Sequence, residues 1–229
     1  MLVILFSYFL WPPGSEQSLD LNSFSISLPL GWDYSPQKGE DSFVGGLGTS
    51  STFLSFDYSE DGYSDNFMDT EEEYLQKEYD TDIRNGLLFK NGMDLNEFPV
   101  AKRIVKEFEY SEFPDADYVG LWTYKAKTLR FPIIIPEEIK NHNVHQKAFN
   151  NFYIKFVSPK HIGKGYFGIY FKHLNSWFTF SAQTHSFSPE DFQKMISLFK
   201  SIQFKNYSLD PDWVRWIDKV AGEVFSDKH

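Results

Sequence analysis

The sequence predicts an α+β domain built around a mainly antiparallel sheet. Three observations carry this. Short apolar runs alternate with polar residues at period two in several places, two segments begin with helix caps followed by an apolar stripe, and the order is strands, helix, strands, helix, helix. Composition agrees: 24 Phe, 13 Tyr and 6 Trp in 229 residues supply rings for a sizeable core.

In order, FSISLPLGW (24–32) alternates Phe24, Ile26, Leu28 and Leu30 with small or polar residues and reads as a strand with one buried face. DSFVGGL (41–47) and TFLSFDYS (52–59), separated by a Gly/Ser/Thr turn, read as a hairpin. Thr70 and Glu73 form a capping box that starts a helix running to about residue 82, with Leu75, Tyr79 and Ile83 on one side. VAKRIVKEF (100–108) and DYVGLWTYK (117–125) read as strands, and 131–151 as a surface insertion. FYIKFV (152–157), YFGIYFKHL (166–174) and SWFTFSAQTH (176–185) are three strands in quick succession. Ser188 with Pro189 caps a helix whose stripe is Phe192, Met195, Ile196, Phe199 and Ile202. A last helix from Asp210-Pro211 sets Trp213, Trp216, Ile217, Val220 and Val224 on one face.

The N-terminus reads differently. Residues 2–11 are apolar, and Pro12, Pro13 and Gly14 end the run before a polar linker. Ten residues are too few to span a bilayer, which takes about 20 in a helix. The length suits the apolar region of a secretory signal, although no Lys or Arg precedes it and no clear small-x-small cleavage site follows. The expectation is an exported protein, with a cytoplasmic one as the alternative and no integral membrane span. The absence of cysteine excludes disulfides, thiol nucleophiles, cysteine metal sites and a lipobox anchor.

FSISLPLGW, DSFVGGL and TFLSFDYS taken together, with VAKRI after the first helix and FQKMISLFKSIQF (192–204), resemble a bacterial branch of the PsbP-like superfamily. That superfamily includes the extrinsic photosystem II protein and a yeast Ran-binding release factor. The resemblance covers roughly residues 22–205 in scattered short matches without a catalytic signature. It implies an α/β/α sandwich with a twisted, mainly antiparallel sheet and helices on both faces, and action by binding other proteins. The chain departs from the branch in the extended turn SEDGYSD, in residues 131–151 and in the helix after 206. The resulting organisation is a signal-like segment and linker (1–19), a PsbP-like domain (20–205) and an extra amphipathic helix packed on it (206–229).

Charge is segregated along the chain. Residues 1–114 carry 7 basic and 21 acidic groups, and the remainder carries 15 and 11. Between Ile139 and Pro189 there is no acid, but six Lys and five His. From this stretch Lys140, His142, His145, Lys147, Lys160, His161 and Lys164 are the candidate binding residues. They would form a basic surface for a protein or other anionic envelope component, strengthening below about pH 6.5 as histidines charge. The competing expectation is that the acidic and basic stretches face each other or are two solvated faces. An overall pI near 5 argues against nucleic acid as partner.

Asp57, Ser59, Asp61 and Asp65 match calcium-loop positions 1, 3, 5 and 9 with Gly62 at 6, yet position 12 is Met68, so a solvated acidic turn is the preferred reading. His142 and His145 would share a metal only on a helix, and a third ligand is missing. No hydrolase, phosphate-loop or dinucleotide motif occurs, and no cofactor is expected. Parity on the late strands sets Tyr166, Tyr170, Lys172, Trp177, Thr179 and Ser181 opposite the phenylalanines. That row is expected to seat the Trp213/Trp216 helix or, if exposed, to bind sugar or peptide. The functional expectation is binding without catalysis. The alternatives are a carbohydrate-binding module using Trp32, Tyr63 and Trp122, and a hydrolase with a site outside known motifs.

Overall fold

The structure, a computed structural model, describes residues 17–21, 23–62, 68–80, 101–106, 112–124, 127–161 and 165–226. It is a mixed α+β protein dominated by a seven-stranded antiparallel sheet with a few helices. The chain divides into two compact units, one made of residues 1–67 and 145–229 and the other of residues 68–144.

The first unit holds strands β1 (Gln17–Asp20), β2 (Phe24–Leu28), β3 (Asp33–Pro36), β4 (Phe43–Gly48) and β5 (Phe53–Ser59). After the second unit come β9 (His142–Phe149), whose first residues still belong to that unit, β10 (Phe152–Pro159), β11 (Phe167–His173) and β12 (Thr179–Thr184). A helix at Pro189–Lys200 follows, then β13 (Gln203–Phe204) and the final helix at Asp212–Ser226. The large sheet has the order β3-β4-β5-β12-β11-β10-β9, and a small sheet has the order β1-β2-β13. Β1 lies in what reads as linker sequence. It exists through pairing, with Gln17 opposite Leu28 and Asp20 opposite Ser25.

Alternation dictates the core. Leu54, Phe56 and Tyr58 on β5, Phe167, Ile169 and Phe171 on β11, and Phe180 and Ala182 on β12 are all buried on one face of the large sheet. Against this face pack Phe24 of β2 (5.4 Å from Phe56), Phe192 and Phe199 of the helix Pro189–Lys200 (4.8 and 5.5 Å from Phe167) and Trp213 of the last helix (5.3 Å from Phe171). Offset and edge-to-face contacts at these distances are the favoured ring geometries. The Trp213 helix therefore sits on the phenylalanine face, not on the Tyr170 row. The helix turns its apolar stripe, with Trp213 and Ile217 buried, toward the phenylalanines and leaves Asp212 and Arg215 exposed.

The helix caps form as the sequence dictates. Ser188 accepts from the Asp191 N–H at 3.1 Å, and Asp191 accepts in return from the Ser188 N–H at 3.4 Å and from the buried Thr52 hydroxyl at 2.6 Å. In the second unit, Glu73 N–H donates to Thr70 Oγ1 at 3.0 Å and Thr70 N–H donates to Glu73 Oε2 at 2.8 Å, starting the helix Glu71–Asp80.

That unit also contains β6 (Ala101–Lys106), β7 (Tyr118–Tyr124) and β8 (Lys127–Ile133) in a three-stranded antiparallel sheet, and a one-turn helix at Glu137–Lys140. Residues 131–151 are thus not a surface insertion but the end of β8, the short helix and β9. Phe131, Ile133 and Ile135 are buried and form a core with Tyr74 and Leu75. The Phe131 ring lies across Gly120, where a Cβ would come within 2.1 Å of it. Glycine is required there because the ring occupies the side-chain position.

Candidate functional site

The predicted basic residues divide between the units. In the second, Lys140 donates to Asp117 at 2.8 Å and to Glu137 at 3.2 Å. Asp117 also accepts from the Ile135 N–H at 2.8 Å. Burial alone would raise the Asp117 carboxyl, but Lys140 and that N–H outweigh it and hold it below the usual carboxylate range. Asp117 in turn raises the Lys140 ammonium. His142 is buried and hydrogen-bonds the Glu138 carbonyl through Nδ1. These two residues tie the short helix to its surroundings.

His142 and His145 lie on a strand, so three residues apart they face opposite sides. They cannot converge on one metal ion, which corrects the helical spacing on which that idea rests.

In the first unit, β9 is the last strand of the large sheet. His145 sits half-buried with Nε2 4.0 Å from Glu223 of the final helix. Burial lowers its pKa, and Glu223 only partly offsets this. It charges at lower pH than the sequence reading expects. Lys147 Nζ lies 5.0 Å from the centre of the Phe149 ring, which also meets the Trp216 ring at 5.5 Å. On the opposite face Gln146 accepts from the Tyr153 hydroxyl. Gln146, Lys147 and Ala148 are exposed in succession, so both faces of β9 are open along this stretch.

Lys160 and His161 are exposed in the turn after β10, and Lys164 lies outside the described residues. Lys147 precedes the Asn150–Asn151 turn that begins β10, so about 20 Å of strand separates it from Lys160. Lys147 and Lys160 are therefore not neighbours on the sheet.

The calcium spacing falls on the wrong backbone. Asp57 and Ser59 are part of β5, extended rather than curled around a point, and Ser59 is 2% exposed with its hydroxyl accepting from the Asp61 N–H at 3.1 Å. Asp61 is exposed and Asp65 lies outside the described residues. Among the described residues, no three His, Asp or Glu side chains assemble in a way that could hold a metal. Glu60 instead accepts from the Tyr58 and Tyr207 hydroxyls, the latter at 2.8 Å, and closes the end of β5 against the segment after β13.

The polar face of the large sheet is a feature that parity alone left undecided. Asp57, Ser181, Tyr170 and Lys155 are directly opposite one another on β5, β12, β11 and β10. Ser181 is 2%, Tyr170 3% and Lys155 0% exposed. Burial pushes the Tyr170 phenol up to about 12. Three strand spacings, about 14 Å, separate the Asp57 and Lys155 backbones, so this row runs as a chain of neighbours, not as one ion pair. One acid of the acidic stretch, Asp57, and one lysine of the basic stretch, Lys155, thus lie on one face of one sheet.

For the alternative aromatic site, Trp32 is 2% exposed and belongs to the core, so its ring offers no platform. Trp122 is in β7, and Tyr63 lies outside the described residues. Among the described residues no helix is long and apolar enough to cross a membrane. The chain matches no protein-family model, no curated protein and no solved structure.

Proposed function

We propose that the chain is an exported bacterial binding protein that works without catalysis, taking an extended acidic segment of a partner protein onto the outer edge of β9. The observation that carries this reading is the run Gln146-Lys147-Ala148, exposed on both faces of a strand that ends the sheet order. An added strand gains affinity from main-chain hydrogen bonds and specificity from the side chains flanking it. Those flanks are Lys147 and the half-buried Trp216 on one side, and Gln146 with Tyr153 on the other. Lysine on an edge also deters pairing between identical chains, since two Lys147 side chains would repel, which favours a different, acidic partner.

The same reading assigns the fold to the PsbP-like superfamily as an α/β/α sandwich. The burial of Lys155, Tyr170 and Ser181 on the face opposite the two helices supports a layer on each side of the sheet.

The test is a photo-crosslinking residue at position 146 of the full chain, used in envelope extracts and sequenced after capture. An acidic extended segment should be found, and the cross-link should weaken with salt and be lost in Lys147→Glu. A product insensitive to both salt and charge reversal, or a cross-link to lipid or polysaccharide alone, would sink the reading.

A further inference from the structure

At the other edge of the large sheet the structure carries a second, different surface. A groove of about 480 Å³ is lined by Asp33, Ser35, Gly46, Thr49, Ser50 and Phe53. Its floor is an aromatic ring out of place. On β5 the core residues are Leu54, Phe56 and Tyr58, and Phe53, at the opposite parity, is 47% exposed. The ring lies against Gly46, where a Cβ would stand 2.1 Å from it. Glycine at that position makes room for the Cε2–Cζ edge of the ring, and nearly half of the residue stays open to solvent.

Polar groups surround this ring. Asp33 and Ser35 occupy alternate positions of β3 and so point to one side, while Tyr34 between them turns inward against Phe56 at 6.2 Å. Asp33, Ser35 and Ser50 are exposed, and Thr49 fixes its loop by accepting from the Thr52 N–H at 3.2 Å.

The β3 edge is poorly built for adding a strand. The Gln37 N–H donates to Val44 at 3.3 Å, so by alternation Asp33 and Ser35 also bond inward to β4, and only Tyr34 and Pro36 direct their backbone outward. Pro36 has no N–H, which leaves one outward donor along the strand. An extended peptide would find little here. A quaternary ammonium calls for a cage of several rings, and this groove has one.

We propose that this groove is a site for a neutral saccharide, its apolar ring face on Phe53 and its hydroxyls on Asp33, Ser35, Ser50 and the glycine backbone. An exposed ring beside a few polar groups in a ligand-sized concavity is an arrangement that suits such a ligand. The site is separate from the β9 edge and does not depend on it.

The experiment screens the full chain against immobilised neutral oligosaccharides, namely β-linked glucose and N-acetylglucosamine oligomers and α-linked glucose oligomers, followed by calorimetry on whichever is retained. At least one class should bind. Phe53→Ala should weaken it tenfold or more, Asp33→Asn severalfold, and Phe53→Trp should retain it, with circular dichroism verifying that each variant is folded. Lys147→Glu should leave sugar binding unchanged, just as Phe53→Ala should leave the β9 cross-link unchanged. No retention at millimolar sugar, undiminished binding by folded Phe53→Ala, or preference for choline over every sugar would overturn the proposal.

Discussion

Trp213→Ala removes the ring that the final helix inserts among Phe171 and its neighbours. The side chain is 3% exposed and meets Phe171 edge-on at 5.3 Å. A buried Trp hides on the order of 200 Å², and at about 25 cal/mol per Å² that is roughly 5 kcal/mol. An alanine keeps about 1 kcal/mol of this, while loss of the ring pair adds back about as much or less. The expected cost is therefore about 4 kcal/mol, inside the range found for removing large aromatics from cores. With a urea dependence of about 2 kcal/mol per molar, the unfolding midpoint should fall by about 2 M. Trp177→Ala is the control, because that ring is 78% exposed and its loss should cost less than about 0.5 kcal/mol. Circular dichroism through a urea series reads both. If Trp213→Ala costs under about 1 kcal/mol, or if the two variants lose stability equally, the helix is not seated as a core element.

Three further outcomes follow from particular contacts. Ser188→Ala should cost about 1 kcal/mol as a lost cap, and Asp191→Ala should cost more, because the Thr52 hydroxyl, 2% exposed, loses its acceptor as well; thermal unfolding ranks the two. Asp117→Asn should cost about 1 kcal/mol at pH 7. The Asp117 pKa is held down on folding, so its contribution is present above the ordinary carboxylate pKa and lost as pH falls through the depressed value. The variant's loss relative to the parent should accordingly vanish in acid. His145 should titrate in NMR below the ordinary histidine value of about 6.5, because burial opposes its charge. Parent stability should decline as pH drops through that region, and His145→Gln should show less of this decline; a titration above the ordinary value would contradict the burial argument.

Elements whose residues do two things at once were readable in the sequence. Phe167, Ile169 and Phe171 alternate because one face of β11 is packed, and the Ser188 and Thr70 caps combine a hydroxyl with a returning carboxylate. Strands held by their neighbours were not. Β3 is short and polar, existing by pairing with Gly45–Gly48. Residues 131–151 were obscured by Pro132, which an outer strand such as β8 tolerates, and by β9, whose two open faces impose no alternation. For the candidate sites, parity identified the side that Tyr170 and Ser181 share, and both are buried, but the Trp213 helix expected on them packs on the phenylalanine face instead. The Phe53 groove did leave a signal: a large ring at the polar parity of β5, beside a glycine pair on β4.

The pairing of β5 with β12 brings Ser55 onto the Gln183 carbonyl at 3.2 Å, from 128 residues away. The large sheet is therefore stitched down its middle by a seam whose two sides are made at widely separated times during synthesis. Β3, β4 and β5 emerge early and must wait, with the Phe56 edge unpaired, until most of the chain has left the ribosome. Residues 60–178 lie between the two sides of this seam, and closing so long a loop is slow even when the final contacts are strong. During that wait the nascent chain carries an apolar half-sheet with an open border, the form in which chaperones and aggregation compete for it.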